Sequence, residues 1–247
     1  PALVVALALT FTRNAWIGAC VAGGLLFVLK DFRLTALLPV ILAALFVVAP
    51  DGLINRLTST FDAQDPANQD RFAMIEIGAR IVADRPLTGV GPNMVPIVYE
   101  QYRPDYAVNE VNPHLHNVPL QIAAERGLPA LAAWAWFVIA LLGALFRMFR
   151  QAGPLTRTGQ TVPASRVASP ASPLTRTGQT VPASRVASRP DPERMLAAAA
   201  MAGTAAMLAA GLFEYNFGDS EFLMLFLVLI TLPFAAARQA DAAATHT

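Results

Sequence analysis

The chain has 247 residues, 55% of them hydrophobic and 14% charged, with a mean hydropathy of +0.48 and a formal net charge of +1. A soluble domain is nearer about a quarter charged, so the composition excludes one and puts the chain in a membrane. The net charge of +1 says nothing about nucleic acid, but no basic run is interleaved with aromatics and no nucleic-acid partner is expected; Cys20, the single cysteine, excludes an intrachain disulfide or a cysteine-ligated metal.

The sequence opens Pro1-Ala2-Leu3, already apolar, with neither the basic flank nor the small-residue cleavage site of a signal peptide. It reads as the C-terminal part of a longer protein. A helix needs about 20 apolar residues to span the hydrocarbon. Residues 1–10 read as the end of one span, 14–29 as a second and 34–49 as a third, so that 1–50 forms a transmembrane unit. A polar stretch, 51–127, follows; further spans lie at 128–146, 195–213 and 221–236, and 237–247 is a tail. None of these segments alternates as barrel strands do. The expected fold is all-α, a polytopic transmembrane helical bundle with a large periplasmic loop that contains an amphipathic helix.

Arginine and lysine placement orients it. Lys30 and Arg33 lie in one short turn; Arg147, Arg150, Arg157, Arg166, Arg176, Arg185, Arg189 and Arg194 lie in the segment 147–194; Arg238 follows the last span. Threading the spans puts all of these on one side, read as cytoplasmic. The stretch 51–127, with ten acidic residues and six arginines, then lies outside, together with the loop 214–220. Within 147–194, the block 154–169 recurs identically at 173–188. Its Pro, Ser, Thr and Arg content cannot build a core, so 154–188 reads as a duplicated disordered insertion, with an anionic-lipid contact through its arginines as the other reading.

The outer stretch carries structure. Asp65-Pro66 is a helix start, an acceptor at the cap with proline behind it. From there Phe72, Ile75, Ala79 and Val82 recur at helical spacing, and Glu76 can pair with Arg80. This predicts an amphipathic helix over about 66–83, lying on the membrane or the bundle and stopped by Arg85-Pro86. Next, Gly89 and Gly91 stand two apart in a loop. They serve either as ordinary turn punctuation or as bare amides for an anion. His114-Leu115-His116-Asn117 then precedes a short helical run, 118–126, closed by Gly127. A metal site would need a third ligand and a carboxylate, and the sequence shows no such cluster nearby. A polar helix cap and general-base or hydrogen-bonding work at neutral pH remain. Arg13, flanked by apolar sequence, either snorkels to an interface at a helix break or presents its fork to a phosphate group. Arg71, on the amphipathic helix, is its natural partner if it is not simply solvated.

These residues resemble a known family. Thr12-Arg13-Asn14-Ala15-Trp16 is similar to the Ser/Thr-Arg-Gly-Ala-Trp pattern of the O-antigen ligase and Wzy-polymerase superfamily. The helix with Arg71, ending Asp84-Arg85-Pro86-Leu87-Thr88-Gly89-Val90-Gly91-Pro92-Asn93, looks like that family's large periplasmic loop. So does His116-Asn117 followed by Leu120-Gln121 and Ala124-Glu125-Arg126-Gly127-Leu128-Pro129. The likeness runs from about Leu9 to Trp134, with a looser echo at Glu214-Tyr215-Asn216-Phe217-Gly218-Asp219.

The resemblance implies a multi-pass enzyme of the bacterial inner membrane in lipopolysaccharide biosynthesis. It would move a glycan from undecaprenyl diphosphate to an acceptor hydroxyl on lipid A core, a growing glycan or a protein. By the same analogy Arg13 and Arg71 hold the diphosphate and His116 activates or orients the acceptor. His114, Asn117, Arg85, Gly89 and Gly91 are possible supports, and neither a cofactor nor a metal is implied. No Asp-X-Asp pair or nucleotide-binding glycine motif is present, as expected where nucleotide sugars are absent. Ligase, polymerase and protein O-oligosaccharyltransferase share this scaffold. A transporter or flippase, or a catalytically silent scaffold, is the reading from another class.

Overall fold

A computed structural model of the chain describes residues 12–37, 39, 40, 43, 62, 64–151 and 192–245. Among the described residues every regular element is helical: α1 (Arg13–Lys30), α2 (Pro66–Asp84), α3 (Val95–Tyr102), α4 (Val118–Gln151), α5 (Pro192–Gly211) and α6 (Ser220–Thr245), with short 3-10 turns at Phe32–Ala36 and Asn216–Gly218. The expected span at 1–10, most of that at 34–49, and the duplicated block 154–188 lie outside the described residues.

Three helices are long and apolar enough to cross a membrane: α4, α5 and α6; α1 contributes a shorter apolar helix, Asn14–Lys30. Helix α5 is the middle of this bundle and packs on α1, α4 and α6. Its alanines and glycines let backbones approach, as is usual where lipid supplies no hydrophobic drive between helices. A Cβ at Gly18 of α1 would lie 3.2 Å from the carbonyl oxygen of Ala206. Leu141 and Leu145 of α4, Met201 and Met207 of α5, and Phe226 and Ile230 of α6 form the buried bundle core. Trp136, Ile139, Leu225 and Val228 point outward, an apolar belt suited to hydrocarbon. Helix α5 ends at Gly211, short of the span expected over 195–213. There the Leu212 and Phe213 amides turn to the carbonyls of Ala209 and Ala210 (3.4 and 3.0 Å), and Asn216 Nδ2 donates to that of Met207 (3.3 Å).

Polar contacts fix the directions of the helices. Asn14, in the first turn of α1, donates to the carbonyl of Phe213, and Asn117, just before α4, donates to that of Leu212 (3.3 and 3.0 Å). The starts of α1 and α4 therefore meet the end of α5. At the other end Arg147 and Arg238 share one cleft, and the Arg194 guanidinium lies 4.5 Å over the Phe149 ring. These arginines gather at one end of the bundle and the histidines at the other.

A second core sits at the histidine end. Met74, Ile77 and Ile81 of α2, Val95 and Tyr99 of α3, and Leu115 and Ala124 pack together there. Helix α2 starts as its sequence predicts: Asp65 Oδ1 accepts the Ala67 amide at 2.8 Å with Pro66 in the first turn, and Arg80 pairs with Glu76. The stripe read from the sequence is its outer face. Phe72 and Ile75 are 53% and 51% exposed, while Ala73, Met74, Ile77 and Ile81 are buried. The helix is apolar on two stripes, and the one that meets α3 and Leu115 wins the interior. The segment after α3 is tied back over α2: Tyr102 Oη donates to Asp84 at 2.7 Å, and Asn112 Nδ2 donates to Asp70 at 3.1 Å.

Helix α4 passes from this head into the bundle through a kink at Gly127 (φ 82°, ψ 169°). Pro129 has no amide hydrogen, so the carbonyl of Glu125 loses its helical partner. The Leu128 amide turns to the carbonyl of Pro86 (2.7 Å), which frees that of Ala124. Val90 and Gly91 donate to these two carbonyls, each at 2.9 Å. The loop at 86–91 thus repairs a helix break. A Cβ at Gly127 would lie 2.2 Å from the Leu87 carbonyl oxygen. Gly127→Ala is expected to cost about 2 kcal/mol or more, from left-handed strain plus that clash. Gly143→Ala, where nothing lies within 4 Å, is expected to be neutral or to stabilise by up to about 1 kcal/mol. Thermal unfolding in detergent checks the pair; equal effects would contradict the role of the kink.

Candidate active site

Asn117 starts the construction. Its Oδ1 caps α4 by accepting the Leu120 amide (2.9 Å) while its Nδ2 reaches Leu212. The role of polar helix cap therefore falls to Asn117. One turn on, Gln121 and Glu125 are each only 1% exposed. Gln121 Oε1 accepts the Leu115 amide (2.7 Å), its Nε2 donates to Glu125 (2.8 Å), and Arg126 pairs with the far oxygen of Glu125 (3.2 Å). Leu115 is itself buried. The backbone between the two histidines is thus gripped from below, and His114 and His116 project from a fixed turn. His116 has φ +49°, a left-handed conformation costing roughly 1–3 kcal/mol that persists only where surroundings over-determine it.

What the histidines meet is Glu214, in the turn after α5. His116 Nδ1 lies 3.0 Å from Glu214 Oε1 and His114 Nε2 3.7 Å from the same oxygen. The imidazoles stand edge to face, 4.3 Å between centroids. The Tyr215 amide donates to Glu214 Oε1 at 3.1 Å, holding the carboxylate in place. The hydrogen bond from His116 depresses the Glu214 carboxyl below its ordinary range, against partial burial. Burial pushes the His114 imidazole down, helped by the neighbouring His116. His116 Nδ1 faces the carboxylate; the tautomer that carries its proton there leaves Nε2 with a lone pair, the arrangement of a base oriented by a carboxylate.

Both His116 and Glu214 line an open cleft of about 350 Å³ whose other wall holds Asp70, Arg71 and Asn109. Among the described residues Arg71 has no hydrogen-bond or ion-pair partner. The fold therefore brings Arg71 and His116, distant in sequence, to one cleft. Arg13 is the first residue of α1; its side chain lies outside the description, but Asn14 beside it bonds to Phe213, next to Glu214.

The supports expected from sequence divide. His114 stacks edge to face on His116, and Asn117 follows it in the same turn. Arg85 lies apart: it caps α2 roughly 20 Å along the axis from Arg71, at about 1.5 Å per residue, and approaches Asp84 at 3.8 Å. Gly89 and Gly91 offer no anion cradle. Their amides donate to the carbonyls of Arg85 and Glu125, and their φ of +63° and +106° serves the tight approach to α4. The expectation that no carboxylate completes a metal set is also corrected, since Glu214 stands with both histidines, all three ligand atoms within 4.8 Å of one another. Glu214 was missed because 98 residues separate it from His116; the available signal was an acidic residue in the short loop joining the last two spans.

The fold and this cleft define a multi-pass membrane protein with a carboxylate-oriented histidine and a free arginine at one end of its bundle. The family model described as O-Antigen ligase matches residues 2–135, and the chain belongs to that family. It is thereby a membrane enzyme of the O-antigen ligase and polymerase type. The match covers Arg13, Arg71, His114 and His116 and ends within α4, before Glu214. No curated protein and no solved structure gives a significant match.

The shifted groups set a pH dependence. His114 is held below its ordinary 6.5, so the opened turn binds more protons than the closed one just beneath that pH, and protection there falls on acidification. Glu214 is held below 4.5; its contribution is present above that value and is lost as pH falls through the lower folded one. Hydrogen exchange of residues 212–219, corrected for intrinsic rates, is expected to lose protection from about pH 6.5 downward, and Glu214→Gln to remove the more acidic part of the loss. Protection independent of pH in both proteins would contradict the pairing.

Proposed function

We propose that this cleft transfers a glycan from an undecaprenyl-diphosphate carrier to an acceptor hydroxyl at the periplasmic face of the bacterial inner membrane, with lipid A core as the acceptor of a ligase. The observation that supports it is the convergence of Arg71 with the His116–Glu214 pair in one open cleft at the polar end of an apolar bundle. The acceptor oxygen attacks the anomeric carbon of the glycan; the bond from that carbon to the diphosphate oxygen breaks, and the diphosphate leaves with the electron pair. His116 Nε2 takes the acceptor proton and later gives it to solvent or the departing phosphate. Glu214 fixes the tautomer that makes this possible and steadies the imidazolium. Arg71, with Arg13 from the start of α1, meets the charge that develops on the diphosphate. A diphosphate so neutralised departs without a metal ion.

The test uses membranes containing the protein, a lipid-linked glycan donor and lipid A core. His116→Ala is expected to lower transfer by about 10²–10⁴-fold, the usual range for loss of a general base. Arg71→Ala is expected to weaken donor use as well as turnover, and Glu214→Gln to slow transfer less than His116→Ala. Normal insertion of all three variants with parental transfer would overturn the site assignment. Transfer only to a second lipid-linked glycan would make the enzyme a polymerase, and passage of intact donor across sealed vesicles a transporter.

A further inference from the structure

We propose that His114, His116 and Glu214 form a binding site for a divalent transition-metal ion of the zinc class, and that the bound ion switches transfer off. Two imidazole nitrogens and one carboxylate oxygen are a borderline ligand set that suits zinc and its neighbours; calcium and magnesium prefer oxygen alone. Tetrahedral coordination with bonds of about 2.0–2.2 Å puts ligand atoms about 3.3–3.6 Å apart. The atoms present lie 3.0 Å apart for His116 Nδ1 to Glu214 Oε1 and 3.7 Å for His114 Nε2 to the same oxygen, and the whole set falls within 4.8 Å.

The donors are also held in advance. Gln121 grips the Leu115 amide between the two histidines, Asn117 ties their turn to Leu212, and the Tyr215 amide bonds the carboxylate oxygen. That last contact is the kind of outer hydrogen bond that orients ligating carboxylates. Two of the three ligands, His116 and Glu214, line the open cleft, which gives an ion a path to them.

The effect on transfer rests on the function proposed above; the binding does not. Coordination through Nδ1 of His116 requires that nitrogen to give up its proton. The proton that remains sits on Nε2 and converts the acceptor of the acceptor's proton into a donor. Glu214 is drawn from orienting the imidazole to ligating the ion.

The experiment uses the full chain without a histidine tag, in detergent. Titration with zinc ion by calorimetry, and with cobalt ion by visible absorption, is expected to show one ion per chain and a cobalt spectrum of low-coordinate nitrogen and oxygen ligation. Glu214→Gln and His114→Ala are each expected to weaken binding by at least about tenfold, the loss that outer-sphere partners alone can cause. No saturable zinc or cobalt binding by the parent chain, which requires no variant to fold, would overturn the site. So would stoichiometric binding that neither variant weakens. In membranes, zinc ion is expected to suppress transfer and a chelator to restore it. Stoichiometric zinc with undiminished transfer would overturn the switch. Absence of the ion site beside loss of transfer in His116→Ala would overturn this inference while leaving the transferase reading standing.

Discussion

The approach of Gly127 to the carbonyl of Leu87 fixes the angle at which α4 leaves the polar head and enters the bundle. In a bilayer core every amide and carbonyl must find a partner within the protein, and a proline at position 129 leaves one without. The chain meets that deficit by adding the amides of Val90 and Gly91 to the freed, buried carbonyls of Ala124 and Glu125. The same helix therefore serves two cores, packing Leu115 and Ala124 in the head and Leu141 and Leu145 in the bundle. Every side chain of the candidate site is positioned with reference to it.

Chemistry is placed by that geometry at one end of the bundle. His116 sits immediately before α4, and Asn117 ties the start of α4 to the end of α5, which delivers Glu214. Arg71 arrives from α2, whose buried stripe packs on the same head. An arginine, a histidine and the carboxylate paired with it are thus contributed by three elements that meet because of the packing of apolar residues. The polar network of Gln121, Glu125 and Arg126 beneath the histidine turn is satisfied at each contact described, and such networks specify one arrangement where a partly paired one would not. The left-handed backbone of His116 is held by these neighbours.

Much of this was legible in the sequence and some was not. The start of α2 at Asp65-Pro66, the Glu76–Arg80 pair and the halt at Gly127 are local signals, and local signals carry their own physics. Arg71 and His116 were singled out through the resemblance of their surroundings to a family, and the fold puts them in one cleft. The inner stripe of α2, Met74 and Ile77, was not singled out because Phe72 and Ile75 make as good an apolar stripe, and only tertiary packing chooses which of the two meets the head. Gly89 and Gly91 suggested an anion site because their partners are hidden in sequence: a local turn to Arg85 takes the Gly89 amide, and the Glu125 carbonyl that takes the Gly91 amide is free only because Pro129 lies far along the chain. Glu214 could not be paired with the histidines by spacing at all.

The central claim is that His116 and Glu214 act as one unit across the junction of α4 and α5. A double-mutant cycle of His116→Ala and Glu214→Gln on the rate of glycan transfer tests it most directly, with insertion of each variant verified. The account predicts that the double variant is little slower than His116→Ala alone, a coupling of at least about 1 kcal/mol, as groups in one network show. Effects that add within about 0.3–0.5 kcal/mol, the behaviour of independent sites, would contradict it.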